Sequence, residues 1–224
     1  LMMAFSPPTP VIAAPAINGA VVIMYHRFGE TKYPSTNVTL EQFEAHLQEL
    51  KSGQYHVLPL PEIIAALQNG TALPDRTVGL SIDDAYLSVF TEAWPRLKKA
   101  GFPFTVFVAT DPVDNSTFGF MNWGQIREMA SSGVTIGGRT GSHLHMAKAG
   151  RKKNLNELTR SKRRFEEMLG KPPRLFAYPY GETSLAIQMM ATSAGFIASF
   201  GQHSGAFDGG SNMFDLPRFA MNEN

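Results

Sequence analysis

The chain contains no cysteine. Disulfides, thiolate metal sites and a cysteine nucleophile are thereby excluded, so any metal must rest on His, Asp or Glu. The same absence does not decide the compartment. No run of about 18 apolar residues occurs, which leaves no candidate membrane-spanning helix. Neither sign of charge predominates, since 20 Lys and Arg stand against 19 Asp and Glu, for a net charge of +1. The global field that would draw nucleic acid or an anionic bilayer is therefore missing. Two phosphate-binding patterns are missing as well: no G-x-G-x-x-G follows a strand-like run, and there is no P-loop. What is present is 224 residues, 43% of them hydrophobic, with 20 Gly and 15 Pro that follow no repeat. That length suits one domain burying roughly 70% of the surface its unfolded chain would expose.

The two ends differ from the rest. The first residues, LMMAFSPPTPVIAAPAINGA, carry no Lys or Arg and include Ala14-Pro15-Ala16, which has the form of a small-residue cleavage site. Residues 1–19 are expected to be either a flexible arm or the remnant of a secretory signal, the second implying export to a periplasmic or extracellular space. Residues 20–224 form the domain proper. Its last stretch, LPRFAMNEN, has no helix terminator, which fits a domain cut short there.

Between the ends, strand-like and helix-like runs alternate. Ala20–Tyr25 is short, apolar and β-branched, which predicts a buried strand. Thr39 and Gln42 have the spacing of a capping box, and the helix they open carries Phe43, Leu47 and Leu50 before Gly53. Tyr55–Leu58 and Pro61–Gln68 follow as strand and helix. Thr77–Ile82 is a strand ending in Asp83-Asp84, with a helical stretch to Lys99 behind it. Phe104–Ala109 is the clearest buried strand. Trp123–Ser131 (helix), Val134–Ile136 (strand), Leu155–Leu169 (helix), Leu175–Ala177 (strand), Ser184–Ala194 (helix) and Ile197–Phe200 (strand) complete the series. Such alternation predicts an α/β fold whose parallel strands are joined by helical crossovers. With the dinucleotide fingerprint missing, a closed or incomplete (β/α) barrel is favoured over an open doubly wound sheet.

In such folds the chemistry collects at the carboxyl ends of the strands. Five polar clusters fall there: His26-Arg27, Asp83-Asp84, Arg139 to His145, Tyr178-Pro179-Tyr180-Gly181 and Gln202-His203. Their coincidence argues for an enzyme. Adjacent carboxylates at a strand end can divide the work, one ligating a divalent metal and its neighbour acting as base on a water; a pair of helix N-caps is the plainer alternative. His143 and His145, two apart on an extended segment, face the same way and can share an ion. Arg174 can orient a carboxylate by a bidentate pair, or sit at the surface after Pro172-Pro173. His203 can serve as a general acid or be a solvated loop residue. Eight Lys and Arg between Lys148 and Arg164 face only Glu157 and read as a solvated helix face.

Together these clusters resemble the polysaccharide deacetylase family, also called the NodB-homology or carbohydrate esterase family 4 domain, from about Val21 to Arg218. Ser81-Ile82-Asp83-Asp84 resembles its T-F-D-D motif, and the resemblance makes Asp83 the catalytic base and Asp84 a metal ligand. Arg174 with Phe176, Pro179, Tyr180 and Gly181 resembles R-x-F-x-x-P-Y-G, in which Arg174 would tether the base and the Tyr180 N–H would stabilise the oxyanion. Met24 to Phe28 is similar to a Tyr-His segment of one branch; His26, Tyr178 and Pro179 are expected against substrate, and His203 is a candidate substitute for the acid. The implied fold is a deformed or incomplete barrel. The implied activity is metal-dependent removal of acetyl groups from N-acetylated sugars of a polysaccharide.

One motif departs. The family pattern H-[ST]-x-x-H here reads Arg139-Thr140-Gly141-Ser142-His143. A guanidinium stays protonated and has no lone pair for a cation. Either Arg139 swings away and His145 joins Asp84 and His143 around an ion (zinc first, then cobalt, nickel or manganese), or the site is poor in metal. The departure motivates a rival reading, a catalytically impaired glycan-binding domain in which Arg139 replaces the ion's charge and pairs with Asp84. A third keeps the chemistry but changes the substrate to an O-acetyl group or a small-molecule C–N bond. The expected partner is a poly- or oligosaccharide, with no nucleic acid and no membrane span; the oligomeric state is left open.

Overall fold

A computed structural model describes residues 19–223; the expected arm, but for Gly19, lies outside the described residues. The chain runs β1 (Gly19–Tyr25), β2 (Arg27–Phe28), β3 (Asn37–Val38), α1 (Leu40–Ser52), β4 (His56–Val57), α2 (Leu60–Gln68) and β5 (Thr77–Asp83). It continues through α3 (Trp94–Ala100), β6 (Thr105–Val108), α4 (Thr110–Asp114), α5 (Trp123–Ser131), β7 (Thr135–Gly138) and α6 (Arg151–Leu169). The last elements are β8 (Leu175–Ala177), α7 (Leu185–Ser193), β9 (Ala198–Phe200), β10 (Phe207–Asp208) and β11 (Phe219–Ala220).

Local chemistry accounts for the boundaries. The capping box opens α1: the Thr39 hydroxyl accepts from Gln42 N–H (3.1 Å) and the Gln42 side chain accepts from Thr39 N–H (2.9 Å). Asn122 and Gln125 repeat the device at α5. A π-helical turn, Val89–Ala93, precedes α3, which ends at Gly101 in the left-handed region. Helix α6 begins four residues before the expected Leu155.

Strands β1, β5, β6, β7, β8 and β9 lie side by side, all parallel. Every residue of β5, the central strand of the site, is buried. Beyond β9 the chain crosses back to β1. Leu216 bridges Phe200 in β9, β10 pairs antiparallel with Gly19 and Ala20, and β11 pairs parallel with Ile23 and Met24. The sheet therefore curls into a barrel whose gap is spanned by irregular chain rather than by a full strand. Inside, Val22, Phe107, Ala177 and Phe200 pack with Leu60, Ile63, Ile64 and Leu67, so α2 plugs the amino-terminal end. Gly79 permits this: a Cβ there would run into the tip of Leu60. With that end plugged, the carboxyl ends of the strands are left to carry the polar loops.

Candidate active site

The loops at the carboxyl ends are bent more tightly than ordinary side chains prefer. Of eight described non-glycine residues with positive φ, five are Asp84, Ala85, Thr140, His143 and Tyr180. Strain of this kind costs on the order of 1–3 kcal/mol per residue and collects at functional sites.

At the floor, two carboxylates meet two guanidinium groups. Arg218 clasps Asp83 with both arms, Nη1 to Oδ1 at 2.7 Å and Nη2 to Oδ2 at 2.9 Å. Arg139 reaches Asp83 Oδ2 with Nη1 at 2.7 Å and Asp84 Oδ1 with Nε at 2.6 Å, and Nη1 also donates to the Tyr178 carbonyl at 3.3 Å. Asp83 is 0% exposed, Arg139 1% and Arg218 0%. Burial alone would raise both carboxyl pKa values. The charges of Arg139 and Arg218 at Asp83, and of Arg139 followed by the contact with His143 at Asp84, outweigh it and hold both below the usual carboxylate range. Burial likewise works against a charged Arg139, but the two carboxylates raise its pKa further.

Three side chains surround this quartet. His143 Nε2 stands 3.2 Å from Asp84 Oδ1 but off the line of a hydrogen bond, and is buried without a hydrogen-bond partner. His26 Nε2 is 3.9 Å from Asp83 Oδ2, its pKa lowered chiefly by burial. Tyr86 lies 3.4 Å from Asp84 Oδ2, its hydroxyl pushed up to about 12 by burial and by Asp84. Above them opens a cavity of about 430 Å³, lined among others by His26, Asp84, Tyr86, Arg139, His143 and Tyr180.

The loop carrying Arg139 and His143 is fastened from α6. Glu157, buried, accepts from Gly141 N–H (3.0 Å), Ser142 N–H (2.7 Å) and the Ser142 hydroxyl (3.0 Å). Arg160 bonds Glu157 and, with both arms, Asp111, whose own N–H donates to the Gly141 carbonyl. Residues expected to form a solvated face thus include the support of the site. Arg164 is committed too, bonding Asp114 and Glu167.

Several expected placements are corrected. Arg174 is exposed and lies before β8, at the opposite end of the barrel, where it lines a separate cavity. The arginine that tethers Asp83 is Arg218, which the sequence reading passed over. Its only local signal is a cation between Leu216-Pro217 and Phe219. His145 does not join Asp84; its Nδ1 pairs with Glu182 at 2.9 Å and its ring stacks on Tyr180 at 3.7 Å. Tyr178 and Pro179 are buried, the Tyr178 hydroxyl donating to the Phe214 carbonyl at 2.8 Å, so neither faces a substrate. His203 is half exposed, 3.7 Å from Asp215, and is not among the residues lining the cavity. His26, Asp84, His143 and Tyr180 do meet at the cavity, whereas Asp83 lies beneath it.

These residues do not fit the divalent ion that the resemblance implies. Asp84 Oδ1 is taken by the Arg139 guanidinium, and His145 is held elsewhere. Among the described residues no three His, Asp or Glu side chains converge on a point where an ion could sit.

The family model described as polysaccharide deacetylase matches residues 70–198. The poly-beta-1,6-N-acetyl-D-glucosamine N-deacetylase of Staphylococcus epidermidis is 26% identical over 190 residues, covering 73% of this chain and 65% of its own length. IcaB from Ammonifex degensii superposes with a TM-score of 0.82 at 28% identity, over 92% of both chains. The Streptococcus pyogenes deacetylase PplD superposes with a TM-score of 0.85 at 22% identity, over 92% and 93%. With more than half of its length matched, the chain belongs to the polysaccharide deacetylase family.

Proposed function

We propose that the cavity receives an N-acetylated amino-sugar unit of a polysaccharide, and that a β-1,6-linked poly-N-acetylglucosamine is its ligand. The cavity itself carries the reading: about 430 Å³ at the strand ends, polar at its floor and walled by the Tyr86 and Tyr180 rings. That volume falls in the usual range for small-ligand sites, roughly 300–1,000 Å³. Aromatic rings in the lining suit the apolar faces of a sugar, while Asp84, His143 and Gln202 suit its hydroxyl and acetamido groups. The name of the Staphylococcus relative supports the β-1,6 linkage.

Deacetylation of the same glycan is a second reading. It is favoured by Asp83, Asp84 and His143 standing where the resemblance puts a base and two ligands, and it requires Arg139 to give way. Titration calorimetry with β-1,6 and β-1,4 N-acetylglucosamine oligomers, and with their de-N-acetylated forms, tests the proposal. The β-1,6 acetylated oligomer is expected to bind best. Equal, negligible heats from every oligomer would remove the glycan reading.

A further inference from the structure

We infer that Arg139 permanently holds the place of the metal ion, so that this site takes its glycan without a divalent metal and leaves the acetyl group on. The glycan clause rests on the reading above; the exclusion of the ion does not.

Charge is the first reason. Asp83 and Asp84 are balanced by Arg139 and Arg218, so the buried floor is already neutral. A dication added there would leave two uncompensated positive charges in a poorly solvated place. Anchorage is the second. Arg139 is fixed at Asp83, Asp84 and the Tyr178 carbonyl. The backbone behind it is clamped as well, by Glu157 at Gly141 and Ser142 and by Asp111 at Gly141. Neither the side chain nor its loop is free to withdraw.

The third reason concerns hydrolysis. A base must present a lone pair to the attacking water. Asp83 Oδ1 receives Arg218, and Oδ2 receives both Arg218 and Arg139; the carboxylate is fully buried below the cavity. The two guanidinium groups engage both oxygens and lower their basicity, and burial keeps the remaining Oδ1 lone pair from the cavity. The arrangement keeps the pocket and disables the chemistry.

The experiment compares the purified chain with Arg139→His and His143→Ala after loading with zinc or cobalt and desalting. Bound metal is counted by elemental analysis and the cobalt ligand field is recorded by absorption. The unsubstituted chain is expected to retain no ion that His143→Ala loses, and to release no acetate from the β-1,6 oligomer above a protein-free control. Arg139→His is expected to gain one ion per chain with a low-coordinate cobalt spectrum. An ion in the unsubstituted chain that disappears in His143→Ala would overturn the inference, as would acetate release that disappears in Asp83→Asn. A folded Arg139→His that gains no ion would overturn the assignment of Arg139 as the excluding group. Should that variant not fold, the comparison with His143→Ala decides alone. Failure of every oligomer to bind, with the metal results as expected, would sink the glycan reading and leave the exclusion of the ion standing.

Discussion

Asp83 shows how far a side chain's role depends on residues distant in sequence. A carboxylate at a strand end looks like a base, and it becomes a structural anion once two guanidinium groups close on it. Removing one of them leaves a buried charge partly uncompensated, which typically costs about 3–5 kcal/mol. Arg218→Met is therefore expected to lower the stability measured by urea unfolding by that amount, and more than Arg174→Met, whose side chain is exposed. Acid should act on the same pair of aspartates. Their folded pKa values lie below the unfolded value of about 3.9, so their contribution is complete above that pH and is lost as pH falls toward the depressed folded values. Thermal melts from pH 7 to pH 2 should show stability falling steeply below about pH 4. Arg139→Met should start lower and fall less steeply, because removing the cation removes part of the depression. Parallel declines would show that Arg139 does not set these pKa values. The Asp pair was legible in the sequence. Its tether was not, because an arginine that points inward from an irregular segment bears no local mark, whereas Arg174 matched a motif and still faced solvent.

Elements were easier to read than sites. Hydrophobic period, the Thr39–Gln42 box and the stop at Gly53 place most strands and helices within a few residues. The short pieces β2, β3, β10 and β11 were missed, since two residues offer no period to detect. Helix α6 shows the same limit in another form. Its basic residues read as solvated, yet Glu157 and Arg160 on one stripe hold the loop that presents Arg139 and His143. Gly141 lies flat on the Arg160 guanidinium, and a Cβ there would collide with it. Gly141→Ala is expected to cost about 1–3 kcal/mol in stability and to weaken glycan binding about tenfold, an effect of about 1.4 kcal/mol on affinity. Calorimetry at a temperature where the variant stays folded separates the two. Unchanged affinity alongside lost stability would mean that the clamp supports the fold but not the pocket.

At the scale of the whole molecule, the barrel is completed by chain that is mostly neither helix nor strand. Leu216, fully buried, bridges β9 and packs with Phe200 and Phe207 in the interior cluster. Leu216→Ala should cost about 2–5 kcal/mol by the cavity it leaves. A loss under about 1 kcal/mol in chemical denaturation would show that the closing segment contributes little to holding the curl. The alternation of strands and helices made the parallel barrel legible, but it carried no sign of how the last gap would be spanned.

That late closure sets an order of events during synthesis. A nascent chain that has emerged only as far as α7 already owns Asp83 and Arg139, yet lacks Arg218, the second of the two arginines that make burial of Asp83 tolerable. Five of the six parallel strands can collapse around their aliphatic residues while this carboxylate is only half compensated. Only when residue 218 arrives, 135 positions later, does the second guanidinium complete the pairing of both Asp83 oxygens. Closure of the pocket floor therefore waits on a contact of long sequence separation, whose loop-closure entropy must be met before the contact rewards it.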